Sequence, residues 1–367
     1  MEIKIKKDEF LKGLYLAQSI ADRKSTMPIL ANVLLRTEGD GSVFCAATDL
    51  RVSVLSEVKA EVVEEGSISL AAKHLFDIIR NVPGDEVHLK RTENNYAQIV
   101  SGKARYQMVG MSDRDFPRLP DHQDAEFTEL DAGLLLDMIG KTIFSVSTDE
   151  TRRHLSGVLM EWQGETLRMV STDGHRLSKV EVQVGEGIAI EEGIIIPRKG
   201  LLEMRRLLEN IDGTCDFAIK EGNLIVRGAD VILTVKLVDA KFPPYKAVIP
   251  SSCEKVVIVN RIVLLDSLKR ISIMSSERNR GVHLELSPGQ LRVSSDNPEL
   301  GEAHEDLDVE YDGEELAIGF DARYFLDILG EINDDEVALK FSGELDPGLV
   351  TLKDSEDYLG VVMPMRL

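Results

Sequence analysis

Thr172-Asp173-Gly174-His175 is the stretch on which the reading of this chain turns. It is echoed upstream by Thr48-Asp49-Leu50-Arg51 and downstream by Ser295-Asp296-Asn297-Pro298. The three aspartates lie 124 and 123 residues apart. A second series runs Ala72-Lys73-His74-Leu75-Phe76, Arg198-Lys199-Gly200-Leu201-Leu202 and Ala322-Arg323-Tyr324-Phe325-Leu326, with middle residues 126 and 124 apart. A third runs Asn32-Val33-Leu34-Leu35, Gly157-Val158-Leu159-Met160 and Gly281-Val282-His283-Leu284, with valines 125 and 124 apart. Three independent features agree on a unit of one third of the chain, far longer than a solenoid repeat of roughly 20–50 residues.

Each unit reads the same way. An amphipathic helix opens it behind a residue able to cap free backbone N–H groups: Asp8 before Phe10, Leu11 and Leu14, Asp131 before Leu134, Leu135 and Met138, Asn260 before Ile262, Leu265 and Leu268. Alternating strands follow, such as Val52–Leu55 and Leu291–Ser294. A second helix is expected over Lys73–Val82, Lys199–Leu208 and Arg323–Ile332, and closing strands over Tyr106–Met111, Ile232–Val238 and Leu359–Met363. The fold class is therefore α+β, three repeated domains of two helices and antiparallel sheets. Phe116-Pro117 and Phe242-Pro243, 126 residues apart, mark the joins and give domains 1–120, 129–245 and 246–367.

Composition limits the function classes. With 43% hydrophobic residues the chain can bury real cores. No run approaches the ~18 apolar residues of a membrane helix, and MEIKIKKDEF lacks the apolar heart of a secretion signal, so a cytoplasmic protein with no membrane partner is expected. Cys45, Cys215 and Cys253 are too scattered for a disulfide framework or a CxxC metal site. No metal and no cofactor is expected.

The net charge of −21 is unevenly spread: residues 1–127 balance at −3, 128–247 at −4 and 248–367 at −14. Net charge does not exclude nucleic acid, because binding depends on where the charges sit. Lys7, Lys12, Arg23, Lys24, Lys73, Arg80, Arg198, Lys199, Arg205, Arg206, Lys269, Arg270, Arg278, Arg280 and Arg323 all fall on or beside the expected helices. Such charges usually mark a solvated helix face. Their recurrence in all three repeats favours a surface for phosphate, and no base-reading motif accompanies it.

A search for catalysis finds no GxxxxGK[ST], GxSxG or HExxH pattern. Asp173 and His175 pair an acid with an imidazole, but no third partner is evident, and a turn shaped by Asp and Gly is the stronger reading. A hydrolase using Asp173 and His175 and a monomeric peptide-binding scaffold stay open as alternatives.

TDGHRL at 172–177, VVMPMRL at 361–367, PRKGL at 197–201 and KLVDAKFPPY at 236–245 resemble signatures of the bacterial DNA sliding clamp family, the β subunits of DNA polymerase III. The resemblance spans the whole chain. It implies a non-catalytic processivity factor, two chains of three domains closed head to tail into a ring around double-stranded DNA, with helices inward. The partners it implies are a second copy, duplex DNA, the polymerase III catalytic subunit, the clamp loader, and other polymerases, mismatch-repair and ligase-type proteins carrying motifs like Gln-Leu-x-Leu-Phe.

By the same resemblance, the peptide pocket has Leu155, Thr172, Gly174, His175, Arg176, Leu177, Pro243 and Val248 on one wall, and Val361, Val362, Met363, Pro364, Met365 and Arg366 on the other. Methionines suit such an adaptable surface. The expected DNA contacts are Lys24, Arg80, Arg152, Arg198, Lys199 and Arg278. At the subunit joint, Lys73, Lys103 and Arg105 beside Tyr106 and Met108 would meet Glu299, Glu302 and Glu305 beside Ile273 and Met274. Three positions depart from the family pattern: Arg153-His154 stands where aromatic residues are common, Asp149 sits in a DNA-contacting loop, and Ala247 replaces a frequent arginine.

Overall fold

In the computed structural model the described residues are 1–39, 41–149, 151–188, 190–275 and 281–366, with backbone alone at 191. The six α-helices among them are α1 (Lys7–Ile20), α2 (Ala72–Asn81), α3 (Ala132–Ile143), α4 (Arg198–Leu208), α5 (Arg261–Ser272) and α6 (Ala322–Glu331). Each second helix begins one residue earlier than its apolar spacing predicts. Two of the expected caps are present: Asp131 Oδ1 accepts from Leu134 N at 2.7 Å and Asn260 Oδ1 from Val263 N at 3.1 Å. The third is not. Asp8 lies inside the first turn of α1, whose leading N–H, on Lys7, donates to Asp85 O at 2.8 Å instead. There Asp8 still favours the positive end of the helix dipole.

The repeat is written in the strand order. One half-sheet runs Val52–Lys59, Ser42–Thr48, Asn32–Glu38, Ser67–Ala71. Its second copy runs Arg176–Gln183, Thr166–Thr172, Gly157–Gln163, Ile190–Pro197, and its third Gly301–Asp308, Gln290–Asn297, Gly281–Ser287, Leu316–Asp321. A second kind of half-sheet runs Ala104–Met111, Tyr96–Ser101, Glu86–Arg91, Glu2–Lys6. Its copies are Val231–Lys236, Asn223–Gly228, Thr214–Lys220, Thr128–Asp131, and Tyr358–Val362, Gly348–Leu352, Glu336–Phe341, Lys255–Asn260. All these pairings are antiparallel, and alternate side chains turn inward to bury the core.

Half-sheets of successive repeats are zipped together. Val52–Lys59 pairs with Val231–Lys236, in register at Ser53 and Thr234. Arg176–Gln183 pairs with Tyr358–Val362, in register at Leu177 and Val361. The chain accordingly forms two compact units: Met1–Leu136 with Lys199–Leu237, and Asp137–Arg198 with Val238–Leu367. In the first, α1 packs so closely on Val52–Lys59 that a Cβ on Gly13 would stand 2.3 Å from Val58 Cγ2. Only glycine allows that approach. In the second, Trp162 is fully buried and its Nε1 donates to Gly185 O at 3.2 Å.

Candidate peptide cleft, cationic surface and free strand edges

The repeated Thr-Asp stretch is a turn held by its own side chains. Thr48 Oγ1 accepts from Leu50 N (3.0 Å) and donates to Val52 O (3.0 Å), while Asp49 Oδ1 accepts from Arg51 N and Val52 N at 2.8 and 2.7 Å. Thr172 and Asp173 repeat this with Gly174 N, Arg176 O, His175 N and Arg176 N, at 3.1, 2.6, 2.9 and 3.1 Å. The residue after each aspartate takes a left-handed backbone, φ 72° at Leu50 and 93° at Gly174. In the third copy the turn slips by one residue: Asn297, not Asp296, accepts from Glu299 N at 3.0 Å. Asp173 Oδ2 also accepts from Arg176 Nε at 3.0 Å. Both carboxylate oxygens are thus engaged in the turn, and the hydrolase reading loses its acid.

The turn at 172–177 borders a cleft of about 370 Å³ in the second unit. Of the expected pocket residues, Leu155, Thr172, Gly174, Arg176, Leu177, Pro243, Val248, Val361 and Met363 line it. Its floor, Leu177, Tyr245 and Val361, continues into a buried cluster with Leu159, Val170, Ile195 and Leu349. Met363 and Val248 stand open at 38% and 49% exposure, which gives an apolar mouth as well as an apolar floor. Five expected residues are not on this wall. Val362 is fully buried, because period-2 alternation points it away from Val361 and Met363. Met365 N donates to Gly319 O at 2.8 Å, which turns the 364–366 segment onto another strand, and Pro364 and Arg366 go with it. His175 lines a separate polar cleft of about 410 Å³.

Arg176 is held on every side. Besides Asp173 it donates to Asp327 on α6 and to Phe144 O at 2.6 Å, and it lies over the Phe144 and Tyr324 rings at 5.4 and 4.8 Å. Its role in the cleft is to fix the turn. Glu161 accepts from Arg168 at 3.0 Å and from Tyr245 Oη at 3.0 Å. Burial, with that hydrogen bond, pushes the Tyr245 hydroxyl up to about 12, so it stays a donor at neutral pH.

The cationic residues divide into paired and free. Lys199 is tied to Asp49, and its Nζ lies 3.4 Å from Ile20 O, so it buttresses the end of α1 rather than standing free. Arg80 pairs with Asp77 at 3.4 Å, Lys12 with Glu9, Arg205 with Glu209, Arg206 with Glu203, Lys269 with Asp266, Arg270 with Glu305 and Arg323 with Asp321. Among the described residues, the side chains of Arg23, Lys24, Lys73 and Arg198 carry no such partner. Arg152 and Arg198 line the same polar cleft as His175 and Arg323. Arg278 and Arg280 lie outside the described residues.

Among the described residues, two strands whose counterparts zip successive half-sheets together have a side without that partner. Gly301–Asp308 pairs only with Gln290–Asn297. Ala104–Val109 pairs on one side with Tyr96–Ser101, and its other side has no partner, since Ser67–Ala71 reaches only Gly110 and Met111. Lys103 and Arg105 border the latter edge with Tyr106, 38% exposed, and Met108, half-buried. Glu299 and Glu302 border the former with Ile273, 73% exposed, and Met274. Glu305 is already engaged within the chain: Arg270 grips both its oxygens at 2.6 and 3.1 Å and holds its carboxyl below the usual range.

Three successive matches span most of the chain: the N-terminal, central and C-terminal domains of the DNA polymerase III beta subunit, at residues 1–120, 129–244 and 246–366. The beta sliding clamps of Pseudomonas aeruginosa and Escherichia coli K12 are 35% and 34% identical over the full length of both chains. The chain belongs to the DNA polymerase III β-subunit family. Solved structures agree: the P. aeruginosa subunit superposes with a TM-score of 0.94 at 34% identity, with both chains fully covered. The Bacillus subtilis sliding clamp superposes at 0.94 with 27% identity, over all of this chain and 99% of that one.

Family membership makes this chain an accessory subunit of the replicative polymerase, a processivity factor without a catalytic role. The family's α+β clamp fold, three repeated domains of helices and antiparallel sheet, is the one described above. DNA and polymerase are its partners in replication. No helix among the described residues is long and apolar enough to cross a membrane. Asp149 accepts from Thr151 N and Oγ1 at 3.0 and 2.7 Å and so shapes its own loop. His154 and Ala247 lie on the cleft wall. Sequence reasoning missed Tyr245 and Pro244 in the cleft, although the Phe-Pro-Pro-Tyr run carried the signal, and it missed Val109 and Leu300, 68% and 61% exposed beside the free edges.

Proposed function

We propose that two copies of this chain close head to tail into a ring around duplex DNA, in the cytoplasm, and that the cleft in the second unit holds clamp-binding peptides. The observation that carries this reading is the recurrence of one join. The half-sheet edge of the first repeat is capped by Val231–Lys236, and that of the second by Tyr358–Val362. The equivalent edge of the third, Gly301–Asp308, and the equivalent capping strand of the first, Ala104–Met111, both lack this partner. Open strand edges of this length are aggregation sites unless a specific partner covers them. A second copy supplies both partners at once, and a head-to-tail contact that closes after two chains leaves neither of these two edges free.

The repeating unit is then the domain, 1–120, 129–245 and 246–367, each contributing one half-sheet of each kind. At the joint, Lys73, Lys103 and Arg105 face Glu299 and Glu302, and Tyr106, Met108, Val109, Ile273, Met274 and Leu300 form the apolar centre. Opposite charge there steers association and disfavours like-end pairing. The unpaired Lys24 and Arg198, with Arg152, meet phosphates without reading bases. The cleft receives apolar side chains from the polymerase III catalytic subunit, the clamp loader, other polymerases and repair or ligase-type proteins. Sedimentation of the full chain tests the joint: a dimer at micromolar concentration supports it, and a monomer throughout overturns it.

A further inference from the structure

The first unit contains a cleft of about 450 Å³ that neither the family resemblance nor the ring accounts for. It lies beneath the segment Phe116–His122 and is bounded below by Phe44, Leu55 and Ile232. Its position is the repeat equivalent of the peptide cleft. Ser53 and Thr234 form its cross-strand pair where Leu177 and Val361 form that of the second unit. Pro117 and Leu119 follow Phe116 on its wall as Pro243 and Tyr245 follow Phe242 there. The cleft is shifted by one residue pair along the strands, toward Leu55 and Ile232.

We propose that this cleft is a second docking site, for a short extended peptide that carries an apolar side chain and a carboxylate. The inference rests on the peptide reading of the second unit's cleft. Charge decides the occupant. Of the acids on the rim, Asp121 is paired with Lys220, and Asp113 stays anionic but accepts from the Ser67 hydroxyl and lies in the field of Arg91 and Arg114. Arg36 is paired with Glu38. Arg118 is exposed and has no hydrogen-bond or ion-pair partner among the described residues. A free guanidinium over half-buried Leu34, Phe44, Leu55 and Leu119 favours an apolar ligand with an anionic group, since charge-assisted bonds are the stronger ones. The hydroxyls of Ser53 and Thr234 in place of Leu177 and Val361 make this floor more polar, so affinity is lower than in the second unit.

The test uses the full chain and a fluorescein-labelled Gln-Leu-Asp-Leu-Phe peptide with a free C-terminus, followed by anisotropy. Val248→Glu/Met363→Glu closes the second unit's cleft at two exposed positions. The expected result is a weaker residual site in that variant, reduced about tenfold further by Arg118→Glu, the scale of one charge-assisted bond, and kept by Arg118→Lys. Loss of all binding in the double variant up to millimolar peptide overturns the inference while leaving the role of the second unit's cleft intact. Residual binding indifferent to Arg118→Glu, or displaced by an oligothymidine rather than by unlabelled peptide, also overturns it. Wild-type affinity in the double variant instead overturns the peptide reading of the second unit, and Arg118→Glu then reports on the first unit alone.

Discussion

Arg176 and Asp327 meet in a guanidinium–carboxylate contact of 2.5 Å that pins the turn at 172–177 to helix α6. The arginine side chain is only 11% exposed and also serves Asp173 and Phe144 O. The cleft's shape therefore depends on a residue with no free donor face to offer a ligand.

Arg176→Ala should destabilise the second unit by about 3 kcal/mol, the scale for breaking a mostly buried pair, with the 43%-exposed Asp327 keeping the figure at the low end. Arg176→Lys should recover only part, because one ammonium cannot replace a fork engaged in three directions. Urea unfolding checks both; an unchanged midpoint for Arg176→Ala contradicts the assignment.

Leu177 is 1% exposed on the cleft floor, and Leu177→Ala should weaken peptide binding by roughly 1–3 kcal/mol, the range for a central anchor. Tyr245→Phe removes the hydroxyl that donates to Glu161 and should cost about 1 kcal/mol of stability. Titration with a clamp-binding peptide separates these, and a Leu177→Ala protein that binds normally places the anchor elsewhere.

Part of the acid sensitivity should come from Glu181. The Arg168 hydrogen bond holds its carboxyl below the usual 4.5. A depressed folded value contributes stability that is full above about pH 4.5 and is lost as pH falls through the lower folded value. Unfolding midpoints between pH 6 and 3 should drop more steeply in the wild type than in Glu181→Gln; parallel curves would mean that the pair contributes nothing.

Arg198 and Lys199 are neighbours with different work. Arg198→Ala together with Lys24→Ala should leave unfolding unchanged and lower the slope of log affinity against log salt by about 0.9 for each lost phosphate contact. Lys199→Ala should instead loosen the α1 terminus, where it holds Asp49 and Ile20 O. Equal effects of Arg198→Ala and Lys199→Ala on DNA binding would contradict this division.

The repeat and the fold class were legible because the Thr-Asp turns and the helix periodicity are local signals. Asp49 and Asp173 bond to backbone two and three residues on, which the letters nearly spell out. Ion pairing was not legible: Lys199 with Asp49 and Arg176 with Asp327 are 150 and 151 residues apart, and only tertiary packing brings them together. Of the expected peptide wall, 364–366 do not line the cleft, because the bridge of Met365 to Gly319 has no sequence signature. The free edges were unreadable for the same reason, since an unpaired strand has the same letters as a paired one.

The subunit joint should respond to charge. Lys103→Glu/Arg105→Glu should shift the dimer toward monomer, more at low salt where screening is weak, and Glu299→Lys/Glu302→Lys should partly restore it. Glu305→Lys should rescue less, because Arg270 already holds that carboxylate. A charge-reversed protein still fully dimeric at low micromolar concentration contradicts the electrostatic part of the joint.

Encirclement is tested most directly by loading the labelled protein onto nicked circular DNA with its clamp loader, then cutting the circle once and measuring retention by gel filtration. The account predicts stable retention on the circle, even at salt that abolishes ordinary phosphate binding, and rapid loss on linearisation as the ring slides off the ends. Equal retention on circular and linear DNA, or release from both by salt alone, would contradict it.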